Sequence, residues 1–295
     1  MKCKTCKQKA VFIKPTLCKI HFLKYVEDKV NSTIKKYKLI AKKDKIVVGV
    51  SGGKDSLTIL YLLRKHNPIA LCIDEGIAGY RNSTIKDMKS FCKKHKLEYK
   101  IISFKEEFGL SLDKMLAKLK IKPCTICGTY RRYLLNKKAR ELKATKLVTG
   151  HNMDDESQAV LMNLMKHQVD IMPRLGLLTG VVKDKRFIPR IKPLYFLTEK
   201  EIAAYSLLQD FGIKYTTCPY AVQAYRSEVG DFLNELEKDN HGSKLRLLTA
   251  FVKQLPKLKK TFKPDPINSC IYCQEPCMQN VCKACQYLQK LEASS

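Results

Sequence analysis

Apolar residues along this 295-residue chain follow two rhythms. Short unbroken runs at Lys45–Val50, Ile69–Asp74, Tyr99–Phe104 and Lys146–Gly150 read as strands covered on both faces, the pattern of a parallel sheet. Between and after them, stretches near 55–66, 82–95, 111–120, 128–143 and 153–166 space their apolar residues as helices do. This alternation predicts a doubly wound parallel α/β sheet with ligand sites beyond the carboxyl ends of its strands. A basic helix over 24–37 leads into the first strand. Residues 170–197, rich in Pro and Gly, read as loop with short extended pieces, and 198–263 as helical, ending in the basic Lys253–Lys263 segment. Pro264-Asp265-Pro266 reads as a linker. The expected division is a compact module over 1–23, a core over 24–263 and a second small module over 264–295.

Charge and cysteine content change this picture. Lys and Arg number 56 against 28 Asp and Glu, a net charge of +28 that suits a polyanionic partner better than a small neutral metabolite. No apolar stretch approaches the ~18 residues of a membrane span, and the start at Met1–Lys7 carries no hydrophobic signal region. A soluble cytoplasmic protein without membrane association is expected. For such a chain, 13 cysteines argue for metal binding over disulfides.

The most specific motif follows the first strand. Ser51-Gly52-Gly53-Lys54-Asp55-Ser56 stands between a buried strand and the apolar helix start at Leu57. A small Gly-rich turn opening a helix points several backbone N–H groups at one spot, with the positive end of the helix dipole behind them. Paired glycines admit a phosphate close to the backbone, and Lys54 adds a compact positive charge. The spacing is not that of a Walker A loop, which has four residues between its first Gly and the Gly-Lys-Ser/Thr triplet. SGGKDS resembles the PP-loop of ATP pyrophosphatases, which cleave ATP between its α and β phosphates and adenylate a carbonyl oxygen.

Eleven of the cysteines cluster. Cys3-x2-Cys6 with Cys18-x2-His21, and Cys270-x2-Cys273 with Cys282-x2-Cys285, each offer four N/S donors in two chelating pairs, the requirement of tetrahedral structural zinc. Segments this short have too little apolar content to fold alone, so metal would supply their stability. Cys277 is a spare thiol in the second module. The third set, Cys124-x2-Cys127 and the distant Cys218, gives three thiolates. Three ligands on a cubane iron–sulfur cluster leave one iron open; Cys124 and Cys218 could instead form a persulfide-carrying redox pair, or all three could be inert structural thiols. After the fourth strand, Gly150-His151-Asn152-Met153-Asp154-Asp155-Glu156 places paired carboxylates at a strand-to-helix junction. They could hold Mg2+ on phosphates or take a proton, or they could simply cap the helix.

Together, SGGKDS, Ile73-Asp-Glu-Gly-Ile77, Pro123-Cys-Thr-Ile-Cys-Gly128, Gly150-His-Asn-Met-Asp-Asp155 and Thr217-Cys218-Pro219 resemble the tRNA 2-thiolation enzymes of the TtcA/TtuA superfamily, in the branch of TtuA and the archaeal and eukaryotic wobble-uridine thiolases. The resemblance spans nearly the whole chain. It implies a PP-loop ATP pyrophosphatase fold (adenine nucleotide alpha hydrolase-like) flanked by two zinc modules. Ser51, Gly52, Gly53, Lys54, Asp55 and Ser56, with Gly150 and His151, would hold ATP, and Ile73 would lie near the adenine. Cys124, Cys127 and Cys218 match the three ligands of a [4Fe-4S] cluster, and Asp155 matches a catalytic aspartate. Arg131 stands where some bacterial relatives have a catalytic lysine, a departure that keeps the charge and changes its geometry. The implied reaction adenylates the C2 oxygen of a tRNA uridine and replaces it with sulfur to give 2-thiouridine; enzymes of positions 34 and 54 share these motifs, and the lysine-rich composition with its many cysteines, unlike that of an extreme thermophile, favours U34 over U54. Sulfide or a thiocarboxylated ubiquitin-like carrier would be the donor, and a homodimer is expected. The basic stretches Lys35–Lys45, Arg131–Arg140 and Lys253–Lys263 are candidate tRNA contacts. The competing readings are an iron-free persulfide thiolase and a zinc-stabilised RNA-binding protein with a vestigial ATP site; a PP-loop synthetase of small molecules would leave the cysteine clusters and the charge without purpose.

Overall fold

A computed structural model describes residues 1–179, 184–221, 225–263 and 265–293. Pro264 of the expected linker, and residues 180–183 of the expected loop, lie outside them. A short hairpin of β1 (Phe12–Ile13) and β2 (Thr16–Leu17) precedes α1 (Lys19–Lys36). The core then runs β3 (Ile46–Val50), α2 (Lys54–Leu62), β4 (Ile69–Asp74), α3 (Arg81–Lys94), β5 (Tyr99–Ser103), α4 (Phe104–Phe108), α5 (Leu112–Lys118), α6 (Pro123–Glu141), β6 (Lys146–Thr149) and α7 (Met153–Met165). Two short strands, β7 (Leu178–Thr179) and β8 (Arg190–Ile191), are followed by α8 (Glu199–Leu208), α9 (Tyr225–Asp239) and α10 (Ser243–Thr261). A final hairpin, β9 (Asn268–Ser269) and β10 (Pro276–Cys277), leads to α11 (Lys283–Glu292).

Six strands form one sheet in the order β5-β4-β3-β6-β8-β7. All its pairs are parallel except β7 with β8. Chain order therefore steps outward from β3 to β5 and then reverses to β6 on the other side of β3. That reversal makes the crevice between β3 and β6 the place where loops part and a ligand can enter.

Alternation along the strands builds two cores. Ile46, Val48 and Val50 point to one face, where α1, α2, α3, α7, α8 and α10 cover them with Phe22, Leu57, Phe91, Val160, Tyr205 and Leu248. Val47, Leu71, Ile73 and Leu147 point to the other, packed by α4, α5, α6 and α11 through Phe104, Met115, Tyr130 and Tyr287. Each such fully buried aliphatic or aromatic side chain contributes about 1.5–3 kcal/mol.

Helix boundaries differ from the expectation in ways that move chemistry. The entry helix starts at Lys19, not residue 24, because Phe22, Val26 and Val30 already sit on its buried face, and this puts His21 on the helix. The expected helix at 128–143 starts at Pro123, a residue favoured in a first helical turn, so Cys124 and Cys127 lie on that turn and not in a loop. The span 198–263 breaks into three helices, with Cys218 on the irregular segment between α8 and α9. Residues 222–224 of that span are not among those described. Among the described residues no helix is long and apolar enough to cross a membrane.

Candidate active site

The turn after β3 is built for close approach. Gly52 has φ 89°, and a Cβ there would meet the Thr84 carbonyl oxygen at 2.2 Å, so any side chain would displace α3 or the loop. The Ser51 N–H donates to Ser56 Oγ at 3.1 Å, and Ser56 Oγ donates to the Gly53 carbonyl at 3.0 Å, fixing the loop before any ligand arrives. Gly53 is the N-terminal cap of α2 in extended conformation and no side chain occupies its capping position, leaving the helix N-terminus open to an anion. Lys54 lies across this opening, paired with Asp55 at 3.2 Å and Glu199 of α8 at 2.7 Å. Burial opposes its charge, but Asp55 and Glu199 outweigh that and hold its pKa above the ordinary lysine value.

The β6–α7 junction faces this loop across the crevice. Gly150 belongs there for packing: a Cβ would come within 2.8 Å of the Ser56 backbone nitrogen. Asn152 donates to Asp55 Oδ1 at 3.0 Å and joins the two turns. Asn152 and Asp155 form a reciprocal capping box, at 3.1 and 3.2 Å. Asp155 is thus held in place as a cap, and burial raises its carboxyl to about 6, against the pull of Arg226. His151 Nδ1 lies 2.9 Å from Thr149 Oγ1. Although His151 is exposed to solvent, the protein mass around it, then Lys192, Arg226, Arg190 and Arg131, hold its pKa below the ordinary histidine value, so the ring is neutral. Asp154 is taken up structurally: it pairs with Lys244 of α10 and accepts the Glu199 N–H at the start of α8. The paired carboxylates therefore divide their tasks, and Asp155 is the one with Arg226 beside it. Ile73 is a core residue of β4, its carbonyl taken by Arg81.

The three cysteines of the third set converge on this same edge. Cys124 Sγ lies 3.9 Å from the Tyr220 carbonyl oxygen, next to Cys218, and Cys127 hydrogen-bonds Arg131 one helical turn on. Burial pushes the Cys127 thiol up to about 11, opposed by Arg131, and also raises Cys218. A neutral thiol at that depth gains most from a bound cation, which deprotonates its ligands. The three sulfurs do not meet within 4.8 Å of one another. Three thiolates fall one short of the closed four-donor set of a structural tetrahedral ion, and match in number a cluster that keeps one iron open.

The terminal modules contrast with it. Cys3, Cys6, Cys18 and His21, and likewise Cys270, Cys273, Cys282 and Cys285, bring four donor atoms within 4.8 Å. Cys6 and Cys18 are 3.6 Å apart, Cys18 and His21 Nδ1 3.2 Å, and Cys273 and Cys282 3.6 Å, the spacing of tetrahedral ligands. Burial would raise the Cys3 thiol, but backbone N–H donors of Cys18, Thr5 and Cys6 outweigh it and hold it at about 5. Cys277 stays outside the group and donates to the Gln279 carbonyl at 2.8 Å.

Several residues were not assigned a role by sequence reasoning. Glu75, inside the quoted Ile73–Ile77 turn, is buried between Arg81 and Arg131. Glu199 holds Lys54, and Lys192 pairs with Glu156 in the core at 2.7 Å. Arg226 of α9 donates to the Asp155 carbonyl at 3.1 Å. Only the Glu75 turn carried a signal, its Asp-Glu-Gly at a strand end. Of the basic stretches, Arg131–Arg140 is largely neutralised internally: Lys137 and Lys138 share Glu107, and Arg140 holds Glu275.

Comparison with known proteins agrees with this geometry. Residues 20–218 match a protein family described as "PP-loop domain". The chain is 37% identical over 289 residues to a "Probable sulfurtransferase" of Methanocaldococcus jannaschii, covering 94% of this chain and 83% of that one. It is 34% identical over 295 residues to the "tRNA-5-methyluridine(54) 2-sulfurtransferase" of Pyrococcus horikoshii, covering 97% and 93%. The solved structure "U34-tRNA thiolase NcsA from Methanococcus maripaludis with its [4Fe-4S] cluster" superposes with a TM-score of 0.85 at 33% identity, covering 99% of this chain and 96% of that one.

Proposed function

The chain belongs to the PP-loop family, among its tRNA 2-thiolation proteins, and we propose that it is an ATP-dependent tRNA-uridine 2-sulfurtransferase. The observation that carries this reading is the convergence, on one edge of the sheet, of an open phosphate loop and a three-cysteine site. Uracil C2 is a poor electrophile because its oxygen is a poor leaving group. Attack of that oxygen on the α-phosphorus of ATP expels pyrophosphate and leaves an adenylated C2, from which AMP departs when sulfur takes its place. The N–H groups of the 51–56 loop and Lys54, with Mg2+, hold the phosphates and the charge that develops on them. Lys54 must exchange Glu199 for phosphate to do so. Asp155, its carboxyl near 6, is suited to a proton at the reacting uridine, while neutral His151 can donate or accept a hydrogen bond beside it.

Cys124, Cys127 and Cys218 would hold the [4Fe-4S] cluster in this reading, and it would supply an iron able to take an external sulfur ligand. Four-donor geometry supports structural Zn2+ in each terminal module. Free sulfide or a thiocarboxylated ubiquitin-like carrier brings the sulfur, and the surplus charge of +28 grips the tRNA backbone. The full-length likeness to a U34 thiolase supports U34 as the target, and the Pyrococcus relative makes U54 the alternative. Proximity of Cys124 to Cys218 supports a persulfide route as the second reading.

Anaerobically reconstituted protein, given ATP, Mg2+, sulfide and unmodified tRNA, is expected to form 2-thiouridine detectable by nucleoside mass spectrometry. Product should vanish without ATP and in Cys218→Ala, and fragment mapping assigns the uridine. Full activity in Cys218→Ala would remove the triad from the mechanism; activity in iron-free protein that appears with a persulfide donor, whose outer sulfur is already at the sulfane level, and not with sulfide alone would leave the persulfide route.

A further inference from the structure

We infer that Glu75 is a positioning residue that fixes Arg131 against the cysteine site and ties that site to the ATP loop. Glu75, 5% exposed, is the first residue after β4 and has a guanidinium on each carboxylate oxygen. Arg81 Nε lies 2.7 Å from Oε2 and Arg131 Nε lies 3.1 Å from Oε1.

The two arginines are held very differently. Arg81 is 2% exposed and donates to the Ser51 carbonyl at 2.7 Å, the Ile73 carbonyl at 2.6 Å, Thr84 Oγ1 at 2.9 Å and Cys72 Sγ at 3.2 Å. It is locked between the strand end and the first residue of the phosphate loop whatever Glu75 does. Arg131 has a side chain 44% exposed, and among the described residues it has Glu75 as its one carboxylate and Cys127 as its neighbour on α6. Contacts therefore run unbroken from Ser51 through Arg81, Glu75 and Arg131 to Cys127. Since Arg81 is fixed independently, the segment that Glu75 controls is the cysteine half. Burying a carboxylate between two cations has a large desolvation cost; here it sets where Arg131 stands.

This inference rests on the thiolase reading for its activity arm, and a second arm is independent of it. Full-length Glu75→Gln, Arg131→Ala and the double variant form a double-mutant cycle. In reconstituted protein, Glu75→Gln is expected to lower the thiolation rate at least tenfold while the ATP Kd, measured calorimetrically, changes less than twofold and the iron content is kept. In iron-free protein that keeps the metal of its two terminal modules, alkylation of Cys127 by iodoacetamide, resolved by peptide mass spectrometry, should change at least threefold in both single variants, by the same factor. In both arms the double variant should match Arg131→Ala. Glu75→Asp, which keeps the charge one methylene shorter, carries the same cycle if Glu75→Gln does not fold, with a smaller shift. Effects that add in the double variant, or parallel loss of ATP binding and iron, would overturn the inference by showing a separate or merely structural role. Should wild-type protein make no thiouridine, the thiolase reading fails, and the alkylation cycle still decides the role of Glu75.

Discussion

The two terminal modules use the same four-donor device on opposite faces of the sheet, and they differ in what they hold still. In the N-terminal one, Cys3 and Cys18 join the core beneath α1, where Phe12 stacks on Phe22 at 4.4 Å. Farther along α1, Tyr25 and Lys29 bond Glu201 of α8 at 2.6 and 3.1 Å. That module staples the entry helix to the sheet. In the C-terminal one, Cys270, Cys282 and Cys285 join the opposite core against α6. Tyr130 donates to the Ala284 carbonyl at 3.3 Å, and Arg140 pairs with Glu275. Since α6 also carries Cys124, Cys127 and Arg131, the C-terminal module forms the backing of the cysteine site. One device is scaffold alone; the other is scaffold for the chemistry.

The largest effect that tests this contrast comes from the donors themselves. Cys282→Ser and Cys18→Ser each remove a buried donor and are expected to cost about 3–5 kcal/mol in thermal or denaturant unfolding. Only Cys282→Ser should also lower iron retention and thiolation per folded molecule, by tenfold or more; equal losses in Cys18→Ser would erase the distinction between the modules. A smaller effect comes from the struts. Arg140→Ala strands the buried Glu275 carboxylate and, with Arg140 itself partly exposed, should cost about 1–2 kcal/mol. It should also speed alkylation of Cys124 and Cys127. Glu201→Gln on the other face should cost about 1 kcal/mol and leave both cysteines unchanged.

A pH-dependent effect sharpens the N-terminal face, to which α7 belongs. Burial raises the Asp155 carboxyl to about 6, so the folded chain holds that proton more tightly than the unfolded one. The stability this contributes is complete below the ordinary aspartate value and is lost as pH rises through about 6. Asp155→Asn should therefore stabilise the protein by about 1–2 kcal/mol at pH 7.5 and by nothing at pH 4, while abolishing thiolation. Unfolding curves at the two pH values decide it.

Much of this was legible in the chain before its structure. The parallel strands declare themselves as continuous apolar runs because both of their faces are covered. SGGKDS is readable because strand, turn and helix chemistry meet within six residues, and the terminal clusters because chelation works at short spacing. What was hidden depends on contacts between distant segments. Nothing near Asp154 in sequence announces that Lys244, on α10, claims it. Glu75 was visible as part of a turn, but its function lies in two arginines, one on α3 and one on α6. The early start of α6 at Pro123 was missed because the helical stretch was read as beginning near 128, after the cysteines, whereas Pro123 in the first turn gives its true start.

The location of the C-terminal module also has a consequence in time. Its last donor, Cys285, follows the end of α6 at Glu141 by 144 residues (285 − 141). At ~5–20 residues per second of synthesis, that interval lasts about 7–30 s. Throughout it, the face of α6 that α11 will cover, Tyr130 included, stands open while the chain grows. The N-terminal module is complete once residue 21 is made. The cysteine site thus waits for residue 285 to gain its backing, long after α6 and its own cysteines on that helix have been made.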